Sequence, residues 1–240
     1  MALIEEHIKT GNWLFKYRSY LPILMFILYF IGLYQEQTSP LFQSTNWIIF
    51  CYCISTLGQI IRILTIAKVP TGTSGRNTKK QRATSVNKLG IYSTVRHPLY
   101  LGNYFMWLGM FMLIPILWVQ VLFSLIYWIY YERIMIAEEN FLQNKFGNDY
   151  SDWAEKVPAF IPSFKNYKKN PANYNMRNII RREYTSLSAM ILLFLILIQL
   201  NNGIAFNDWE INPQIKWIFI VTAIIYLLLR LLKKNTKLFR

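Results

Sequence analysis

The sequence predicts an all-α integral membrane protein with about six transmembrane helices and a cytoplasmic amphipathic helix beside them. Two observations carry that prediction. Hydrophobic residues fill 54% of the 240 positions, yet the formal net charge is +14. The cations stand between long apolar runs, as in membrane proteins, rather than being interleaved with polar sequence as in a nucleic-acid-binding domain. Nucleic acid is therefore not the expected partner of this charge.

Six runs are candidates for crossing hydrocarbon, which takes roughly 17 to 25 residues: residues 20–35, 46–67, 100–114, 116–136, 186–200 and 215–232. Glu5, Glu6 and His7 precede the first run and no small-residue cleavage site follows it, so it reads as a retained span rather than a signal. Pro115 separates the third and fourth runs with almost no loop. Proline removes a backbone donor and clashes with the preceding turn, so a tight helical hairpin is expected there.

Charge then sets the topology. Of the 26 Lys and Arg, 24 fall before the first run, between residues 67 and 98, between 132 and 185, or in the tail from Arg230. The loops on the opposite side hold Glu36, Asp208 and Glu210, with Lys216 at their edge. The excess of cytoplasmic cations in membrane proteins places both termini and both long loops in the cytoplasm. One of those loops, residues 70–95, is rich in Gly, Thr, Ser, Asn and Lys. The other carries Phe141, Leu142, Lys145, Phe146, Tyr150 and Trp153 at helical spacing, the expected amphipathic helix, interrupted at Gly147 and ended by Pro158. A four-span core over residues 1–185 and a two-span hairpin over 186–240 are the expected units.

The chemistry-bearing residues cluster at span ends. Cys51 and Cys53 lie two apart in an apolar run, on different helix faces, and read as packing residues. His7 and His97 are the only histidines, so no metal site is expected. Dinucleotide-binding, P-loop, nucleophile-elbow and zinc-protease signatures are all missing. Arg96 and His97 enter the third run, while Glu132, Arg133, Glu138 and Glu139 leave the fourth, and a hairpin brings those ends together. Ionisable groups gathered at a membrane boundary mark a functional site or, more simply, anchor helices at the headgroups.

A further pattern decides between these readings. Gly90-Ile91-Tyr92, Arg96-His97-Pro98-Leu99-Tyr100-Leu101-Gly102, and Glu138-Glu139 followed by Leu142, Phe146-Gly147, Tyr150, Val157-Pro158 and Ile161-Pro162 resemble the isoprenylcysteine carboxyl methyltransferases. The wider group includes the phospholipid N-methyltransferases. The resemblance covers about residues 85–163 and implies a multi-span fold whose S-adenosylmethionine pocket is closed by the loop before the Arg-His-Pro helix and by a terminal helix. It implies cofactor contacts at Tyr92, His97, Pro98, Leu99 and Tyr100, and an acid that holds the cofactor at Glu138. Thr84, Ser85, Val86 and Asn87 match a backbone-contacting stretch, so the cofactor segment is expected over 84–163. An arginine one turn before the acid binds the methyl acceptor in that family. Arg133 lies five residues before Glu138 rather than four, which turns it off the glutamate's helix face.

Physical chemistry is consistent with these roles. A carboxylate such as Glu138 suits ribose hydroxyls or the ammonium group of S-adenosylmethionine, Arg96 or His97 suits its carboxylate, and Tyr92 and Tyr100 suit adenine. Methyl transfer is an in-line displacement that needs positioning and exclusion of water. A carboxylate or phosphate acceptor is already ionised, whereas an ammonium headgroup first needs a base, for which Glu139 is the candidate. The basic face formed by Lys79, Lys80, Arg82, Lys165, Lys168, Lys169, Arg177, Arg181 and Arg182 favours an anionic acceptor and attracts anionic lipids. The sequence also resembles bacterial enzymes that methylate the 1-phosphate of lipid A. The expectation is therefore an O-methyltransferase of the bacterial inner membrane acting on lipid A 1-phosphate. Isoprenylcysteine carboxyl methylation and phospholipid N-methylation are the alternatives. An NADPH-dependent sterol-reductase-like enzyme and a non-enzymatic membrane scaffold are more distant readings.

Overall fold

A computed structural model describes residues 2–37, 39–69, 81–165 and 167–235. The described residues form helices and connecting loops with no β-strand. The helices are α1 (Leu3–Tyr17), α2 (Leu21–Leu24), α3 (Phe26–Gln35), α4 (Thr45–Ala67), α5 (Pro98–Phe111), α6 (Leu117–Phe146), α7 (Asn148–Ala154), α8 (Met176–Phe206) and α9 (Pro213–Asn235). The all-α expectation stands.

The span count comes out lower than six. Among the described residues, α4, α6, α8 and α9 are long and apolar enough to cross a membrane, and a fifth span results only if α1 and the α2–α3 segment, bent by 82°, count as one. Two of the expected runs make shorter helices. The first is broken at Met25 into α2 and α3, with Pro22 in the opening turn of α2. The third is α5, whose 14 residues run between Pro98 and the turn before Pro115. At about 1.5 Å rise per residue it is roughly 21 Å long, below the thickness of the hydrocarbon core.

The hairpin expected at Pro115 is present. Tyr104 Oη and Ser124 Oγ are 2.9 Å apart, and the Tyr127 hydroxyl donates to the Tyr100 carbonyl at 2.8 Å, so α5 and α6 run antiparallel. The closed side of the core is aromatic: Phe111 stacks on Phe123 at 4.3 Å and Tyr127 on Tyr131 at 4.2 Å. α4 approaches α5 closely at two glycines. A Cβ at Gly58 would fall 2.3 Å from the Gly102 carbonyl oxygen, and one at Gly109 would fall 2.3 Å from the Cys51 carbonyl oxygen. Small residues let helix backbones meet in this way where lipid offers no hydrophobic drive to association. Ser55 adds a hydrogen bond to the Met106 carbonyl at 2.8 Å.

Four boundaries differ from the sequence expectation. Residues 3–17, read as a stretch before the first span, form α1, whose Gly11 packs against the Arg133 carbonyl and Ala137 of α6. The separate amphipathic helix is instead the last turns of α6, which continues unbroken to Phe146, followed by the short α7. Gly147 breaks the chain as expected, with φ +55°, a conformation side-chain-bearing residues rarely adopt. However, α7 stops at Ala154, before Pro158, where the Arg96 guanidinium takes the Ala154 carbonyl at 2.7 Å. Lastly, α8 begins at Met176, ten residues before the apolar run it contains, capped by the Asn175 side chain accepting from the Asn178 amide.

The cation-rich segments gather at one end of the helices. Arg18 faces Glu138, Lys88 pairs with Asp149, Lys68 donates to the Asn170 carbonyl and Lys233 to the Arg181 carbonyl. The opposite end holds neutral contacts, such as Trp47 Nε1 donating to the Met112 carbonyl and Phe42 edge-on to Phe206. Cys51 is buried and Cys53 exposed, so the two thiols do lie on different faces.

Candidate functional site

At the cation-rich end, the start of α5 is set by its own sequence. Proline favours the first helical position and forces the residue before it out of helical conformation. Pro98 opens α5 and His97 stands before it in an extended-like conformation. The chain leading into it is tied down by main-chain bonds: the Gly90, Arg96 and His97 amides donate to the Lys168, Pro158 and Ala159 carbonyls, and Ser163 donates to Thr94. The segment after α7 thus fixes the segment before α5. This accounts for Val157-Pro158 and Ile161-Pro162 belonging to the same motif as Arg-His-Pro.

α6 brings its two glutamates to this point on neighbouring faces. The Tyr100 hydroxyl donates to Glu138 Oε1 at 2.8 Å, and the His97 Nε2–H donates to Glu139 Oε1 at 2.9 Å. His97 Nδ1 lies 3.6 Å from Glu138 Oε2, and Arg96 Nε lies 3.0 Å from Glu139 Oε1. The imidazole, 8% exposed, is therefore held between two carboxylates and stacks on the Tyr100 ring.

These groups border a cavity of about 530 Å³, within the range of sites that enclose small molecules. Ser85, Val86, Asn87, Tyr92, Arg96, His97, Pro98, Leu99, Tyr100 and Glu138 all line it. Thr84 is not a lining residue. Glu139 stands behind His97 rather than on the wall. Arg133 is off the wall too, and its carbonyl abuts Gly11 of α1. Of the basic residues expected on this face, Arg82 and Arg182 reach the cavity, while Lys79 and Lys80 fall outside the described residues. Burial pushes the Tyr92 hydroxyl up to about 12, so it lines the cavity as a neutral group.

The residues present suit S-adenosylmethionine. Glu138 is one-quarter exposed and free on one side to accept from hydroxyl or ammonium donors. Tyr92, Tyr100, Phe141, Leu142 and Trp153 provide aromatic and apolar walls. The Trp153 indole N–H is buried and has no hydrogen-bond partner among the described residues, so it remains available to a bound polar group.

The sequence reading missed a second group on the wall. Arg62, near the end of α4, has Nε and Nη2 at 2.9 and 2.8 Å from the two carboxylate oxygens of Glu183 on α8. Its Nη1 donates to Asn103 Oδ1 at 2.6 Å, and Gln59 Nε2 donates to Glu183 at 2.9 Å. Arg62, Asn103, Glu183 and also Arg18 line the cavity. One signal was available for Arg62. It is the single charged residue in a 23-residue apolar helix, and an ionisable residue in such a run is a site candidate by default. Glu183 and Arg18 carry no comparable local signal.

Comparison with known proteins agrees with the geometry. The sequence pattern of the family described as phospholipid methyltransferase matches residues 46–149. The chain is 42% identical over 74 residues to the protein-S-isoprenylcysteine O-methyltransferase of Schizosaccharomyces pombe, covering 30% of this chain and 31% of that protein. It is 28% identical over 147 residues to protein-S-isoprenylcysteine O-methyltransferase B of Arabidopsis thaliana, 60% of this chain and 70% of that one. The Saccharomyces cerevisiae protein-S-isoprenylcysteine O-methyltransferase is 32% identical over 127 residues, 48% and 53% of the two chains. The aligned stretch thus spans from about a third to just over two thirds of these relatives. No solved structure matches the chain. Motif, cavity and relatives converge: the chain is similar to the phospholipid methyltransferase family over residues 46–149 and to isoprenylcysteine carboxyl methyltransferases over the stretch that carries the cavity's mouth.

Proposed function

We propose that this protein is an S-adenosylmethionine-dependent membrane O-methyltransferase whose acceptor is the carboxylate of an isoprenylcysteine, with its active face and both termini in the cytoplasm. The observation that carries this reading is the convergence of the Arg-His-Pro segment and Glu138 on one cavity at the mouth of the α5–α6 hairpin. The acceptor follows the relatives, all of them isoprenylcysteine enzymes by name, and so replaces lipid A phosphate as the first choice.

Bound at these residues, S-adenosylmethionine would supply an activated methyl group, its carbon–sulfur bond giving way to the bond from the acceptor oxygen with the electron pair left on sulfur. The protein's residues position and shield. Glu138, oriented by the Tyr100 hydroxyl, holds hydroxyl or ammonium groups of the cofactor. Arg96 would receive its carboxylate, and Glu139 fixes the Arg96 and His97 side chains from behind. The aromatic wall excludes water. An ionised carboxylate needs no base, consistent with the engagement of Glu139 by His97 and Arg96.

One observation keeps a lipid phosphate as the second reading. Five arginines, Arg18, Arg62, Arg82, Arg96 and Arg182, line the cavity against two glutamates, Glu138 and Glu183. The same excess disfavours an ammonium headgroup. The test is transfer of labelled methyl from S-adenosylmethionine to three acceptors presented separately: N-acetyl-S-farnesylcysteine, lipid A and phosphatidylethanolamine. Base-labile methyl ester on the farnesylcysteine is expected. Label on lipid A alone would establish the phosphate reading, and label on none of the three would refute both.

A further inference from the structure

The charge at Arg62 asks for an explanation that membrane anchoring does not give. It sits in a helix long enough to span, its side chain is only 13% exposed, and Glu183, its partner, is 4% exposed. Burying two charges costs more than a packed apolar pair of the same volume, so such pairs are weak evidence for a purely stabilising role. This pair also faces the cavity rather than the interior of a helix contact.

The geometry of the guanidinium is informative. Arginine has five N–H groups in a planar fork. Glu183 takes one from Nε and one from Nη2, and Asn103 takes one from Nη1. Two N–H groups remain, one on each terminal nitrogen. Three hydrogen bonds to two residues on two other helices fix the plane, which is the preorganisation expected of an anion-binding group rather than a loose surface charge.

Its position is equally specific. Leu99, Tyr100 and Asn103 lie on one face of α5 and all line the cavity, and Asn103 stands one turn farther along the helix than Tyr100. Arg62 therefore occupies the wall one turn beyond the Tyr100–Glu138 contact, at the inner end of the cavity. The group at the equivalent place on α6, Arg133, is off the wall.

We propose that Arg62 binds the anionic group of the methyl acceptor through its two remaining N–H groups, and that Glu183 of α8 is the residue that positions it. This rests on the methyltransferase reading above. It also gives α8, which lies outside residues 46–149 matched by the family pattern, a place in the acceptor half of the site.

The experiment compares the full-length wild type with Arg62→Lys and with the charge swap Arg62→Glu/Glu183→Arg. Three readouts are taken: S-adenosylmethionine affinity, KM and kcat for N-acetyl-S-farnesylcysteine, and inhibition by its uncharged carboxamide. Loss of a charge-assisted hydrogen bond predicts an acceptor KM raised about 10- to 100-fold in Arg62→Lys, with cofactor affinity within about threefold of wild type. The variant should also lose much of the wild type's preference for acid over carboxamide. The swap restores the ion pair, so it should recover folding and cofactor binding but not acceptor KM. If Arg62 serves only to hold α4 to α8, the swap instead restores acceptor KM as well, which overturns the proposal. An unchanged KM and unchanged preference in Arg62→Lys overturns it too. Absence of any transfer by the wild type overturns the methyltransferase reading, and this proposal with it.

Discussion

The two ends of the cavity are built on different plans. The mouth is made of residues close together in sequence: 85–100 from one strand of chain and 138–153 from another, joined by main-chain hydrogen bonds to residues 158–168. The inner wall is made of single residues from distant helices, Arg62, Asn103 and Glu183, the last two lying 41 and 121 positions beyond Arg62. Residues 85–100 and 138–149 of the mouth fall within the family pattern, as do Arg62 and Asn103, while Glu183, the third residue of the inner wall, comes from α8 beyond it. The mouth is thus built as a local cassette, whereas the inner wall is assembled from the tertiary fold.

The sharpest way to break this contrast is Glu138→Ala. Losing a carboxylate that takes more than one hydrogen bond should weaken S-adenosylmethionine binding by about 100-fold or more, measured by calorimetry, with the thermal midpoint little changed. An equal loss of cofactor affinity in Arg62→Lys would erase the distinction between mouth and inner wall. Next in size is Gly109→Leu. With the Cβ position 2.3 Å from both the Cys51 carbonyl and Ser55 Oγ, α4 and α5 must separate, at a cost of about 3 kcal/mol in stability to denaturant in detergent. A thermally stable Gly109→Leu variant with full activity would show that the helix spacing is not what holds the two halves together.

Smaller effects sharpen the contrast further. Arg133→Met should lower kcat/KM by less than about tenfold, since its side chain does not line the cavity, whereas a binding role in the transition state would lower it far more. Smallest is Lys88→Ala, which removes a partly exposed pair with Asp149 and should change stability by less than about 1 kcal/mol in a thermal melt.

How much was legible in the sequence follows the same division. The α5–α6 hairpin, the break at Gly147 and ten lining residues could be read, because proline, glycine and the contiguous motifs act locally. The first run does not make a straight span because its short helices, interrupted at Met25, join α1 only through an 82° bend, which an average over hydrophobic residues does not register. α1 was passed over because its buried face is small, essentially Gly11 and Phe15. Glu183 looked like one more charge in a basic loop, since pairing across 121 positions leaves no local trace. Arg62 was the missed opportunity: a lone cation inside an apolar run is visible without any structure.

The glycines of α4 and α5 have one more consequence. With Gly58 against the Gly102 carbonyl and Gly109 against the Cys51 carbonyl, main chain meets main chain, and the Ser55, Met106 and Arg62 side chains fill the little space that remains. Rotamer changes cannot relieve the part of the contact that is backbone against backbone. Arg62 on one helix and His97 at the head of the other are therefore held like two marks on a ruler. In-line displacement is sensitive to differences of about 1 Å between reacting atoms. The span between the two ends of this cavity is set by this tight seam, and the side chains that line it inherit that dimension.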